Sequence, residues 1–116
     1  MRMWMVNPEW MCRQHLLGEH VETHMFFGSL MKLKDVSGFI DKGLLEFKSL
    51  NKRHDQLAAE ISRRGYTHAS PMGVLKNFTP SNKISHSIVD RVKSEQELLS
   101  RCPECTANYA KLKKKD

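Results

Sequence analysis

Long apolar runs are missing from this chain. No stretch approaches the ~20 residues needed to cross a bilayer. The first residues, Met1-Arg2-Met3-Trp4, carry one basic group but no apolar h-region and no small-residue cleavage site, so no signal peptide is read. Cysteine is scarce, and three residues cannot build a disulfide framework. Reduced thiols in an intracellular, cytoplasmic protein are the expectation. Cys102-Pro103-Glu104-Cys105 offers two ligands at zinc spacing, where a structural site needs four. Cys12 and one of the six histidines complete that set only if the fold brings them together. No metal and no cofactor are expected by default. No internal repeat and no convincing strand pair is present, which leaves helices.

What is present is charge. The 116 residues are 28% charged and 40% hydrophobic, which suits one domain over 1–116 with a single modest core. A formal net charge of +6 and a pI near 9.4 point to an anionic partner, and nucleic acid is the commonest. The plain alternative is a basic protein with no polyanion partner.

The apolar spacing predicts an all-α domain of three main helices. The first runs from about Pro8 or Glu9 to about Lys34, after an extended segment over residues 1–9. Leu17, Val21, Met25 and Phe26 mark its expected buried face. Gly18 and Gly28 cost it about 1 kcal/mol each relative to alanine, unless they allow close backbone approach. A connector over 35–46 follows. The second helix is expected over Phe47 to Arg64, with Leu50, Leu57, Ala58 and Ile61 buried and Lys52, Arg53, Arg63 and Arg64 in water. Gly65 stands where a capping glycine belongs. After a loop over 66–82, the third helix runs from Asn82 or Ile84 to Arg101, with Ile84, Ile88, Val92 and Leu99 inward, and Pro103 ends it. Residues from about 106 to 116 read as a solvated basic tail able to add phosphate affinity.

Residues 14 to 28 concentrate titratable groups. Glu22 has Gly18, Glu19, Met25 and Phe26 three and four residues away. Apolar neighbours and a second carboxylate both push a carboxyl pKa upward, and a glutamate poised toward neutrality can pass a proton either way. A solvated helix-face glutamate is the ordinary alternative. His20 and His24 are four apart on one face, as zinc-binding pairs are, but the glutamate of HExxH is absent and a third ligand would have to come from elsewhere.

Gln14-His15-Leu16, Glu19, Glu22 and Phe27-Gly28, then Lys52-Arg53, Leu57, Ala59-Glu60 and Arg64-Gly65-Tyr66, resemble the pyrimidine-dimer DNA glycosylases of the T-even phage endonuclease V type. The resemblance is specific near the N-terminus and loose after about residue 70. It implies a compact all-α fold built on three helices. It implies a DNA repair enzyme that cuts a glycosidic bond and nicks the abasic site, with the N-terminal α-amine as nucleophile and Glu22 as acid/base. Arg2, Gln14, His15, Arg91 and Lys93 are then the expected DNA-binding residues. DNA, double-stranded and damaged or abasic, is the expected partner of a monomeric, nucleoid-associated protein. An unperturbed α-amine titrates at about 7.7–8.0, against about 10.4 for lysine, so far more of it is uncharged at neutral pH.

Three departures accompany the resemblance. Met1 stands where the family has a small residue exposed by methionine removal, and bulky Arg2 favours its retention. Val21 and Met25 occupy the positions of two strand-gripping arginines. The aromatic C-terminal tail is largely missing, with Tyr109 the only aromatic after Phe78. Two other readings stay open: a non-catalytic helical DNA-binding protein, and a metal-dependent enzyme using His20 and His24.

Overall fold

The computed structural model describes residues 1–68, 71–75 and 78–114. The fold is all-α. Among the described residues six α-helices follow in order: α1 (Arg13–Met31), α2 (Ser37–Asp41), α3 (Leu50–Arg63), α4 (Asn82–Ser85), α5 (Arg91–Arg101) and α6 (Pro103–Lys114). Short 3-10 turns, Pro8–Trp10 and Phe47–Ser49, lead into α1 and α3.

Helix α1 begins later than its sequence suggests. Pro8 opens a 3-10 turn instead, closed by the Met11 amide on the Pro8 carbonyl, and Cys12 then caps α1. Its buried face holds Leu16, Glu19, His20, Thr23, Phe26 and Leu30. Val21 and Met25, expected inside, are 55% and 49% exposed. The reason lies on α3, which packs along α1 and presents polar groups there. The Arg53 guanidinium grips Glu19 through Nε–Oε2 at 2.6 Å and Nη2–Oε1 at 2.8 Å, and its Nη1 donates to the Val6 carbonyl at 2.6 Å. Arg53, expected in water, is therefore buried. Gly18 and Gly28 face open space, so neither marks a close backbone approach.

Helix α3 follows expectation more closely. Leu50, Leu57 and Ile61 are buried, and Gly65 takes φ +89° just past the end, where a Cβ would be strained. The third expected helix is broken. Residues 86–90 leave the helical path because their polar groups have partners elsewhere. Ser87 Oγ accepts from the Phe47 amide at 3.0 Å, and the Val89 amide donates to Glu46 Oε1 at 3.1 Å. Asp90 then caps a new start by accepting from the Lys93 amide at 3.1 Å. Ile88 and Val92, expected inward, are each 68% exposed, while Val89 and Leu98 are buried. Pro103 does end α5, but as the first residue of α6 it also starts another helix, as N1 prolines do. The expected basic tail is thus helical through Lys114, and its last two residues lie outside the described residues, as do 69, 70, 76 and 77 of the expected 66–82 loop.

The N-terminal segment threads the interior. Met3 is fully buried, its amide donates to the Leu44 carbonyl at 2.8 Å, and its sulfur accepts from the Glu46 amide at 3.3 Å. Successive residues serve different parts of the core. Met3 packs with Phe26, Leu30, Leu45, Leu50 and Val89, whereas Trp4 packs with Trp10, Leu16, Leu57 and Leu98. Ser94 on α5 donates to the Trp4 carbonyl. Residue 1 is thereby delivered between α1 and α5.

Candidate active site at the amino terminus

Because Met3 and Trp4 are locked in the core, Met1 has little freedom, and its α-nitrogen lies 3.9 Å from Glu22 Oε1. Glu22 sits midway along α1, on the border between the buried face and water, and its side chain is 28% exposed. Burial pushes its carboxyl above the ordinary glutamate range, and the charge of Glu19 adds to the rise. The Arg2 backbone amide, the α-ammonium and the Arg2 guanidinium pull the other way without cancelling the effect. The result is a carboxyl held beside a primary amine, with its pKa above that of an exposed glutamate.

Both groups line a cleft of about 1480 Å³. Arg2, Gln14, His15 and Lys93 line it as well, so five of the expected site residues join Glu22 there. Arg91 does not. It lines a smaller hollow, where its Nη1 and Nη2 hold Glu46 Oε1 and Oε2 at 3.0 and 2.9 Å. Arg2 is also engaged: Nη1 pairs with Glu97 Oε2 at 3.1 Å, and its Cζ lies 3.7 Å from the centroid of the Trp4 ring. The Arg2 hydrogen bond, first among several causes, holds the Glu97 carboxyl below its usual range. Lys42 and Arg101 bring further positive charge to the cleft, and Trp4 brings an aromatic wall. Sequence reasoning missed these three. Lys42 and Arg101 look like any solvated charges until α2 and α5 are placed around residue 1.

The structure also answers two questions about donors. Cys12, His15, Cys102 and Cys105 come together, with one donor atom from each within 4.8 Å of the others. The fold thus meets the condition under which the CxxC pair gains a full ligand set. His20 and His24 are likewise joined by His54 of α3 and by His68, again within 4.8 Å. His20 Nε2 and His68 Nε2 are 2.8 Å apart, and burial followed by the charges of the neighbouring imidazoles lowers the His20 pKa to about 4. These four rings are not among the residues lining the cleft that holds Met1 and Glu22.

The all-α fold thus holds a primary amine against a carboxylate in a cleft lined by charges of both signs, Arg2, Lys42, Lys93 and Arg101 beside Glu19, Asp41, Asp90 and Glu97. The family of pyrimidine dimer DNA glycosylases matches over residues 1–73, and the chain belongs to that family. The match contains Met1, Arg2, Gln14, His15 and Glu22, and ends before α4, α5 and α6. DNA is the partner that membership implies. Among curated proteins and among solved structures no match is found. No described helix is long and apolar enough to cross a membrane.

Proposed function

We propose that the protein is a DNA glycosylase with abasic-site lyase activity. The Met1 α-amine is its nucleophile and Glu22 its acid/base. The observation that carries this reading is the 3.9 Å approach of the α-nitrogen to Glu22 Oε1 inside the cleft. The uncharged amine attacks C1′ of the damaged nucleotide, and the base leaves with a proton. The sugar ring opens as an imine forms between C1′ and the amine. A proton is then lost from C2′ and the 3′ phosphate departs by β-elimination. Each proton transfer needs a group able to give and accept a proton, and burial, by raising the Glu22 carboxyl above the ordinary glutamate range, favours it in that role. The other cleft residues serve substrate. Lys93, Lys42 and Arg101 offer charge to backbone phosphate, and Gln14 and His15 face the strand beside the reacting sugar. Arg2 reaches a phosphate by exchanging its bond to Glu97.

Borohydride reduction in the presence of a duplex containing an abasic site tests the reading. Mass spectrometry of the trapped peptide should place the adduct on residue 1, and acetylation of the α-amine should abolish both trapping and cleavage. An adduct on a lysine would remove Met1 from the mechanism. Binding with neither adduct nor cleavage would make the protein a non-catalytic DNA binder.

A further inference from the structure

We infer that Cys12, His15, Cys102 and Cys105 form a structural zinc site that ties the start of α1 to the start of α6. The two halves are built alike. Cys12 caps α1, its carbonyl accepting from the Leu16 amide at 2.9 Å and its sulfur from the His15 amide at 3.4 Å. Cys102 precedes α6 in the same way, its carbonyl accepting from the Thr106 amide at 3.0 Å and its sulfur from the Cys105 amide at 3.4 Å. Each half therefore presents a cap residue and the residue three later, both at a helix N-terminus. The Cys12 amide joins the halves by donating to Cys105 Sγ at 3.1 Å. All three sulfurs thus accept from backbone amides, and two helix N-termini of 19 and 12 residues point their positive ends at them. That environment suits thiolates, the form in which cysteine binds metal.

The spacing fits a tetrahedral ion. Zinc–sulfur bonds of about 2.3 Å in a tetrahedron separate the sulfurs by about 3.8 Å. Cys12 Sγ and Cys102 Sγ are 3.8 Å apart, and His15 Nδ1 lies 3.1 Å from Cys12 Sγ and 3.7 Å from Cys105 Sγ. Cys12, Cys102 and Cys105 are buried free thiols. Three thiolates and one imidazole are the donor set of a closed structural zinc site, with no position left for substrate. Trp4 packs edge-on against His15, their ring centroids 5.8 Å apart, so the metal would steady the wall of the cleft without entering the chemistry. Cys102 and Cys105 lie beyond the family match, so the ion would fasten the C-terminal helices to the part of the fold that the match covers. The inference does not depend on the glycosylase reading.

The test uses the full chain purified under reducing conditions. Metal analysis should give zinc, and chelation followed by cobalt(II) should produce thiolate-to-cobalt charge-transfer bands with the intense visible bands of a tetrahedral ion. The four-histidine cluster contains no sulfur and cannot produce the charge-transfer bands, so metal bound there is distinguished. The double variant Cys102→Ser, Cys105→Ser should lose one zinc per chain and lose those bands. Cys105→His keeps four donors, and should retain the metal with a weaker thiolate band even if the serine variant folds poorly. Cobalt binding without charge-transfer bands in the reduced wild type, or full zinc retention by the double variant, would overturn the site. So would a Cys12–Cys102 or Cys102–Cys105 disulfide in protein prepared without oxidant.

Discussion

The α-nitrogen of Met1 and Oε1 of Glu22 stand 3.9 Å apart although neither residue alone fixes that distance. Met3 and Trp4, buried in two parts of the core, aim residue 1, and the packing of α1 on α3 aims Glu22. Glu22→Gln is nearly isosteric and should leave DNA binding intact while slowing strand cleavage by about 10²–10⁴. It should also change stability in a defined direction. Burial raises the folded carboxyl above its unfolded value, so the folded state holds the proton more tightly. Glu22 therefore costs stability as pH rises from the unfolded value through the folded one. The glutamine variant should melt higher than wild type at neutral pH, and the gap should close in acid. Thermal melts across that range, beside single-turnover cleavage of abasic-site DNA, check both parts. Equal cleavage by variant and wild type would remove Glu22 as the acid/base.

Glu19 is a different case one turn earlier. From sequence it is a like charge tuning Glu22, and Glu19→Gln looks mild. In the fold it is 1% exposed and paired with Arg53, itself 2% exposed. Removing one partner of a buried ion pair costs about 3–5 kcal/mol, because the other charge stays behind unpaired. Glu19→Gln should lose that much in urea denaturation and should lose activity through unfolding. If it melts like wild type and only shifts the pH profile, the buried pair is not holding α1 to α3.

That contrast shows what could be read without the fold. Helix α3 was legible because Leu50, Leu57 and Ile61 repeat at helical spacing and Gly65 caps the end. The inward face of α1 was not, because it is polar: Glu19, His20 and Thr23 are buried against a facing helix that supplies Arg53 and His54. Apolar Val21 and Met25 drew the expected face to the wrong side. The break before α5 was hidden because Ser87 and Val89 find partners in Phe47 and Glu46, more than 35 residues away. Met1, Arg2 and Glu22 were identified through resemblance to a family, not through any spacing. Lys42, Arg101 and the full Cys12–His15–Cys102–Cys105 set needed the tertiary contacts.

Arg91 and Lys93 were expected to do the same work, and the fold separates them. Arg91 holds Glu46. Burial alone would raise that carboxyl, but hydrogen bonds from Arg91, Ser49 and the Val89 amide keep it below the usual range. Its contribution is present above the unfolded carboxylate range and is lost as pH falls through the folded value. Arg91→Ala should cost about 1 kcal/mol, modest because the guanidinium is half exposed and screened by water, with the loss shrinking in acid. Its DNA salt dependence should match wild type. Lys93→Ala should do the reverse, leaving stability alone and lowering the slope of log K against log salt by about 0.9. Exchanged outcomes would show that the cleft is not the phosphate track.

The last expectation turns the departures from the family into a gain of function. Val21 and Met25 stand where the resemblance places two strand-gripping arginines, and they flank Glu22 on the exposed side of α1. An apolar side chain left half in water contributes little to folding, so arginine should be tolerated at both places. Exposed substitutions of this kind usually stay within about 0.5 kcal/mol. Arginine also has a helix propensity at least as good as that of valine or methionine. Each added guanidinium that meets a phosphate should steepen the salt slope by about 0.9 and tighten binding at low salt. Val21→Arg with Met25→Arg should therefore bind abasic-site duplex more tightly than wild type, with a slope steeper by up to about 1.8. Cleavage of bound substrate should persist because Met1 and Glu22 are kept, with its pH profile moved toward acid, since a guanidinium at position 25 lies one turn from Glu22 and lowers its carboxyl. Fluorescence anisotropy over a salt series, with single-turnover cleavage at saturating protein, separates the two effects. An unchanged slope in a well-folded double variant would mean that this side of α1 does not face the strand.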